Sequence, residues 1–135
     1  MSNMITLDEN VTKEMNKYLD GITIEEIMLC NRRMFHFPAV FTGAQLDQDI
    51  EVLDLSRRAF NCLRRAGTNT LRDLISKNAT TDEASSKRQL MTHNRNLGVK
   101  TASEIFIKLF YYSFLVQPES EKRSYMQKVI KANIT

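Results

Sequence analysis

Residues 97–105, with the sequence Leu-Gly-Val-Lys-Thr-Ala-Ser-Glu-Ile, are typical of a tight turn that leads directly into a helix. Gly98 lets the backbone turn closely and expose its amides, and the following helix adds the positive end of its dipole. Lys100 and Thr101 supply a cation and a hydroxyl beside those amides. The stretch therefore predicts a site that binds an anion such as a phosphate group.

The residues of this turn are open to other interpretations. A glycine followed by a lysine and a threonine also begins many ordinary helices, so the turn by itself decides no function. A nucleotide-binding P-loop is excluded, because that motif needs a glycine directly before the lysine and a strand before the loop. Here Val99 precedes Lys100, and no strand pattern precedes the turn.

The helix after the turn is amphipathic at first and then apolar on all sides. Apolar residues recur at helical spacing from Ala102 to Tyr112, whereas residues 110–116 offer no polar face. Other segments must cover that second half. The candidates are two predicted amino-terminal helices and a final helix that follows Pro118.

Capping signals and periodicity predict the remaining elements. We expect helices over residues 7–20, 23–34, 56–66, 71–75, 80–91 and 119–130, an irregular segment over 35–41 and a connector over 42–55. No alternating pattern is long enough to predict a sheet. The sequence therefore predicts an all-α fold.

The helix predicted over residues 56–66 has one apolar and one basic face. Ser56 is a good N-cap, and Gly67 ends the helix where a left-handed residue is needed. One arc contains Ala59, Phe60, Leu63 and Ala66, and the other contains Arg57, Arg58, Asn61, Arg64 and Arg65. Between residues 57 and 77 six basic side chains accompany one acidic side chain. Such a patch attracts a polyanion, although a charge run also occurs simply as a solvated helix face.

Length and composition exclude several classes of protein. At 135 residues and 15.6 kDa the protein has the size of one compact domain, and its 42% apolar and 26% charged residues disfavour disorder. The longest apolar stretch, residues 105–116, is shorter than the roughly 20 residues that a bilayer requires, so we expect no membrane partner. The amino end lacks the basic start and apolar run of a secretion signal, and we expect a cytoplasmic protein.

Residue types that carry catalysis or bind metals are sparse in this sequence. Cys30 and Cys62 are too few for a disulfide framework or a cysteine metal site, and both are predicted to be reduced thiols. His36 and His93 are isolated from each other and from any cluster of carboxylates or cysteines. No paired acids and no nucleophile with a base are evident, so we expect no enzyme activity, no metal and no cofactor.

Three separated blocks of sequence, residues 53–63, 71–74 and 96–105, resemble in their order the C-terminal domain of the bacterial RNA polymerase α subunit. The resemblance covers about residues 50–110. It implies a compact helical domain with a helix-hairpin-helix-like element that binds the minor groove of A·T-rich DNA and also contacts sigma factor and activators. We therefore expect three segments, namely an amino-terminal helical extension of unknown role (1–46), the DNA-binding domain (47–116) and a carboxy-terminal helix (117–135).

The resemblance assigns the helix residues as follows. Arg58 enters the minor groove, with Asn61 and Cys62 beside it on the same helix. Arg65 joins this set from spacing alone, because Arg58, Asn61 and Arg65 are related as i, i+3 and i+7. A narrow A·T-rich groove concentrates negative potential and favours an inserted arginine.

The turn residues and one acidic residue are assigned in the same way. Gly98, Lys100 and Thr101 hold the flanking DNA backbone, and Glu104 helps to orient them. Asp54 matches an acidic position that the family uses toward sigma factor, although a carboxylate near a helix start also simply compensates the dipole.

Several departures from the family pattern leave alternatives open. Phe60 stands where the family has a small residue, Val99 replaces a frequent lysine, and residues 1–46 do not resemble the domain that assembles an α subunit into polymerase. We therefore expect a free-standing relative. The alternatives are a module that contacts sigma factor, polymerase or a regulator without binding DNA, and a helix-hairpin-helix accessory of a DNA repair enzyme. The oligomeric state is left open.

Overall fold

The computed structural model describes residues 8–32, 34–77 and 82–134 of the protein. Within these ranges two short 3-10 turns, Ile50–Leu53 and Glu119–Glu121, accompany eight α-helices. The α-helices are α1 (Glu9–Asn16), α2 (Ile24–Cys30), α3 (Gly43–Leu46), α4 (Arg57–Arg65), α5 (Leu71–Lys77), α6 (Glu83–His93), α7 (Val99–Leu115) and α8 (Lys122–Asn133). The described residues form no strand, only an isolated antiparallel bridge between Asp49 and Thr70. The predicted all-α fold is confirmed.

The first two helices end earlier than predicted because side chains at their ends bond to other segments. Asn16 ends α1, and its amide oxygen accepts from the Ile24 backbone N–H at 2.7 Å. Asn31 caps the end of α2, and its amide donates to the Asn133 Oδ1 at 2.9 Å. Residue 7, at which the first helix is predicted to begin, lies outside the described residues. The cap of α1 is Asp8, whose carboxylate accepts from the Asn10 N–H.

The prediction of a plain connector over residues 42–55 is wrong. A reciprocal capping box, in which the Thr42 hydroxyl accepts from the Gln45 N–H and the Gln45 side chain accepts from the Thr42 N–H, begins α3. The 3-10 turn Ile50–Leu53 follows, capped by the Asp49 carboxylate. Ile50 and Leu53 are buried, so the segment contributes to the core.

The second half of α7 lies at the centre of the core, and it is covered by the predicted final helix and also by the irregular segment, which the prediction did not name. Phe35 and Phe37 from the irregular segment pack their rings at 5.1 Å from the ring of Phe110. On another side, the Tyr125 hydroxyl of α8 donates to Ser113 at 2.9 Å. The buried cluster contains side chains from all three segments of the sequence-based division, which itself stays a prediction.

None of the helices in the described ranges has the length and apolar character needed to cross a membrane.

Candidate nucleic-acid interface

The amino ends of α4 and α7 are joined directly. Ser56, the N-cap of α4, donates through its backbone N–H to the Glu104 Oε2 at 2.5 Å and through its hydroxyl to the Glu104 Oε1 at 2.8 Å. The same hydroxyl accepts from the Ala59 N–H at 3.2 Å, as an N-cap does. Glu104 lies about 7.5 Å along the axis from Val99, the first residue of α7. Two segments 48 residues apart in sequence therefore form one surface.

Three of the four residues of α4 that are predicted to bind DNA are exposed in the structure. Arg58, Asn61 and Arg65 are exposed, on the side opposite the buried Ala59 and Leu63. Gly67 follows the helix with φ +81°, as predicted for its left-handed end.

Cys62, which the resemblance assigns to the surface beside Arg58, exposes only a small part of its side chain. Its side chain is buried, with 7% of its surface exposed, because it lies on the edge of α4 that packs into the core. Cys62 thus packs in the core edge of α4, and its contact with DNA stays a prediction.

The Arg64 guanidinium is bound by other side chains of the protein, so it is not free to contact a ligand. Its guanidinium donates to both carboxylate oxygens of Asp49, at 2.7 and 2.6 Å, and to the Asn69 Oδ1 at 2.9 Å. The guanidinium carbon also lies 4.6 Å from the centre of the Phe60 ring, in a cation–π arrangement. The Arg64 guanidinium is the main cause that lowers the pKa of the Asp49 carboxyl below its ordinary value.

Two further cations of the predicted basic patch also have partners. Arg72 pairs with Asp47 at 3.1 Å, and the Lys77 ammonium donates to the Ala66 carbonyl at 3.2 Å and to the Thr68 hydroxyl at 3.4 Å. The unpaired part of the basic patch predicted over residues 57–77 is therefore smaller than the sequence indicates. It consists of the arginines on the exposed face of α4.

The turn before α7 achieves its shape differently from the prediction. The left-handed residue is Asn96, with φ 64°, whereas Gly98 is extended with φ −92° and ψ −179°. What Gly98 provides is open space, because no heavy atom lies within 4 Å of the position that a Cβ atom would take there. Asn94, which is buried, ends α6 and accepts from the Leu97 N–H through its carbonyl at 3.2 Å.

The first turn of α7 leaves backbone donors without intrahelical partners. The first intrahelical bond runs from the Ala102 N–H to the Gly98 carbonyl at 2.9 Å, and the preceding amides have no side-chain cap. Lys100 is exposed and Thr101 half-buried beside them. Open amides, a helix dipole and a cation together attract an anion.

The charge of the residues in the first turn distinguishes α4 and α7 from most other helices of the described residues. The helices α1, α2, α5 and α6 carry acidic residues in the first turn, which the helix dipole favours. By contrast, α4 begins with Arg57 and Arg58, and α7 carries Lys100. The helix α8 also begins with cations, but Lys122 donates to a backbone carbonyl and Arg123 pairs with a carboxylate. Within the described residues, α4 and α7 are thus the two helices that begin with unpaired cations. They are also the two helices that the bonds between Ser56 and Glu104 connect.

Asp54, the predicted protein-contact residue, lies at the edge of this surface. It has a left-handed backbone, with φ 55°, at the end of the 3-10 turn, and its side chain is 98% exposed. The nearest cation is Lys108 of α7, at 3.8 Å. The exposed Val52 stands two residues before it.

No group of three or more metal-ligating side chains occurs in the described part of the protein. Cys30 is exposed and Cys62 buried, and both are free thiols.

Comparison with known proteins gives a consistent family. The model of the family described as the C-terminal domain of the bacterial RNA polymerase alpha chain matches residues 42–110. The protein is similar to the α subunit of DNA-directed RNA polymerase of Mycoplasma mycoides, with 49% identity over 61 residues, 45% of this protein and 16% of that subunit. It is also similar to the α subunits of Symbiobacterium thermophilum (44% over 75 residues) and Desulforamulus reducens (38% over 76 residues), covering 55% and 56% of this protein and 21% of each subunit.

The matched region thus spans about a fifth of the length of these relatives. No solved structure matches the protein.

Proposed function

Because the protein belongs to the family of C-terminal domains of the bacterial RNA polymerase alpha subunit, we propose that it is a non-enzymatic DNA-binding protein of transcription or its regulation. It binds the minor groove and the backbone of A·T-rich duplex DNA. Its partners in this proposal are DNA and, through the transcription machinery, RNA polymerase or sigma factor.

The observation that carries the proposal is the junction of the two helix starts. The bonds from Ser56 to Glu104 hold the start of α4, which carries Arg57 and Arg58, against the amino-terminal part of α7. A duplex presents a groove and its flanking phosphates side by side, and a protein surface that binds it needs complementary groups in the same arrangement.

The face of α4 supplies the contacts to the groove. Arg58 enters the minor groove, with Asn61 and Arg65 next to it at helical spacing on the exposed surface. The minor groove distinguishes A·T from G·C pairs but little more, so the protein prefers composition and groove shape over a defined sequence.

The turn before α7 supplies the contacts to the backbone. The open amides that begin at Gly98, together with Lys100 and the Thr101 hydroxyl, bind phosphate oxygens. Glu104 does not touch DNA in this arrangement. It is a positioning residue that fixes Ser56, and with it the direction of α4.

Fluorescence anisotropy with labelled A·T-rich and G·C-rich duplexes at several salt concentrations tests this function. We expect tighter binding to the A·T-rich duplex, and a log–log dependence on salt with a slope of about −0.9 per phosphate neutralised. The variant Arg58→Ala should lose the A·T preference and weaken binding to the A·T-rich duplex by roughly 10- to 100-fold, since groove contacts contribute about 1–3 kcal/mol each.

The matched control is Lys128→Ala, which removes an exposed cation of α8. Its binding should equal that of the wild type. Equal affinities of the wild type for the two duplexes would contradict the proposed groove recognition. Unchanged binding in Arg58→Ala would contradict the role of that arginine.

A second candidate function, a contact to another protein through Asp54, is favoured by a separate observation. Asp54 has a left-handed backbone and an almost fully exposed side chain beside the exposed Val52, and its carboxylate pairs with Lys108 only at 3.8 Å. A left-handed backbone at a residue other than glycine costs free energy and is found often at functional positions. We propose sigma factor or polymerase as the partner. Recovery of polymerase subunits from the native host by the tagged wild type, and their loss with Asp54→Ala while DNA binding persists, is the expected result.

A further inference from the structure

The exposed face of α4 contains an arginine that the sequence-based site leaves out. We propose that Arg57 is a second DNA-contact arginine, and that its guanidinium binds a backbone phosphate beside the groove that Arg58 enters. This inference rests on the proposed DNA binding and names a further contact of the same surface.

The helical projection sets Arg57 on the outward side of α4. The buried residues Ala59, Cys62 and Leu63 define the inward direction, and at 100° per residue Arg57 points away from their mean direction. Arg57 is exposed, and Asn61 follows it by four residues. Since residues three and four apart are neighbours on a helix surface, Asn61 has Arg58 on one side and Arg57 on the other.

Arg57 is also unpaired, in contrast to another arginine of the same helix. Within the described residues it has no ion pair and no hydrogen-bond acceptor, whereas Arg64 is held by both oxygens of Asp49. The position of Arg57 in the first turn of α4 opposes the helix dipole, and no acidic residue in that turn compensates it. The Arg57 charge therefore does not stabilise α4. A side chain that opposes local stability often serves function, here the binding of a ligand of opposite charge.

The chemistry of the guanidinium and the shape of the duplex assign the ligand. An arginine binds a phosphate through two parallel N–H donors. The minor groove is only about 6 Å wide, and the side chains of Arg57 and Arg58 leave the helix about 100° apart, so one of them enters the groove while the other meets the flanking backbone.

The experiment compares Arg57→Gln with Lys128→Gln on the same labelled A·T-rich and G·C-rich duplexes across a salt series. We expect Arg57→Gln to weaken binding to both duplexes roughly fivefold at about 0.1 M salt, and to reduce the magnitude of the salt slope by about 0.9. The ratio of the two affinities should stay that of the wild type. Arg57→Lys should keep the wild-type slope, and Lys128→Gln should match the wild type throughout.

Thermal unfolding of Arg57→Gln separates binding from folding. Its midpoint should equal or exceed that of the wild type, because a charge opposed to the dipole is removed. An affinity and slope equal to those of Lys128→Gln would overturn the inference while leaving the proposed function intact. A changed A·T preference without a changed slope would overturn the assignment to a phosphate. Failure of the wild type to bind either duplex would overturn the proposed function and this inference together.

Discussion

The two halves of α7 differ in how their polar groups are satisfied. In the second half, the Tyr111 hydroxyl accepts from the Asp8 N–H at 2.9 Å, and the Ser113 hydroxyl donates to the Pro38 carbonyl and accepts from Tyr125. Burial there raises the pKa of the Tyr125 phenol far above its ordinary value. In the first turn, the amides before Ala102 and the Lys100 ammonium have no partner in the described part of the protein.

The difference shows that this one helix serves two purposes. The carboxy-terminal half is closed, because distant segments satisfy both its apolar and its polar groups. In the amino-terminal half only the first turn is open, because Ala102, Ile105 and Phe106 are buried as well. The donors and the cation of that turn are available to a ligand. Substitutions in the closed half should therefore cost stability, whereas those of exposed residues in the first turn should cost binding.

The largest expected effect is in the closed half. Phe110→Ala removes a fully buried ring that contacts both Phe35 and Phe37, and we expect the free energy of unfolding to fall by about 3–5 kcal/mol. Urea unfolding followed by circular dichroism measures this loss. The matched control is Leu115→Ala on the same helix, where the side chain is 48% exposed and the expected loss is under about 0.5 kcal/mol. Similar losses in both variants would contradict the assignment of a closed half.

Local signals in the sequence predict much of the fold and of the candidate site. The start of the helix predicted over residues 23–34, the N-cap at Ser56 and the left-handed Gly67 follow from a few neighbouring residues each, and the structure has all three. The exposure of Arg58 and Asn61 follows from the helical projection alone.

The features that the sequence misses depend on contacts between distant segments. Arg64 is removed from the basic surface only because the turn at residues 49–53 brings Asp49 to it, and nothing near position 64 predicts that pairing. The burial of Cys62 depends on where α4 packs into the core. The helical projection offers a signal for Arg57, since it lies beside Asn61, whereas the family pattern singles out Arg58.

Substitution of Glu104, which joins α7 to α4, should have an effect of intermediate size on stability and on DNA binding. Glu104→Ala removes the acceptor of both Ser56 donors, and we expect a loss of about 1 kcal/mol in the free energy of unfolding together with roughly tenfold weaker DNA binding. The direction of the second effect is diagnostic. Removing a negative charge from a surface that binds a polyanion strengthens binding unless the residue holds the surface in place.

Two variants check this role in the same anisotropy titration. Glu104→Gln keeps one carbonyl acceptor and should recover part of the affinity. Glu121→Ala removes an exposed acidic charge next to α8 and should bind as the wild type does or slightly more tightly. Stronger DNA binding by Glu104→Ala would contradict the positioning role.

The smallest expected effect is on the pH dependence of stability, through the pair of Arg64 and Asp49. Because the pKa of Asp49 is lowered in the folded state, its pairing with Arg64 stabilises the protein above the ordinary pKa of a carboxyl and is lost as the pH falls through the lowered value. Asp49 is 42% exposed, so solvent screening limits the contribution to under about 1 kcal/mol. Urea unfolding between about pH 5 and pH 2 should show a smaller loss of stability in Asp49→Asn than in the wild type.

Glu25 and Asp73 also have a lowered pKa, but both the wild type and Asp49→Asn retain them. The difference in acid dependence between the wild type and Asp49→Asn therefore reports on Asp49 alone. In an Arg64→Gln background the Asp49→Asn substitution should change the acid dependence less than in the wild type, since only the hydrogen bond from the Glu51 N–H still lowers the pKa of Asp49. The same single substitution releases a guanidinium on α4, so the affinity of Asp49→Asn for DNA should rise slightly and the magnitude of its salt slope should increase. Parallel acid curves for wild type and Asp49→Asn would mean that Arg64 is not held by this pair, and the distinction between paired and unpaired arginines on α4 would fail.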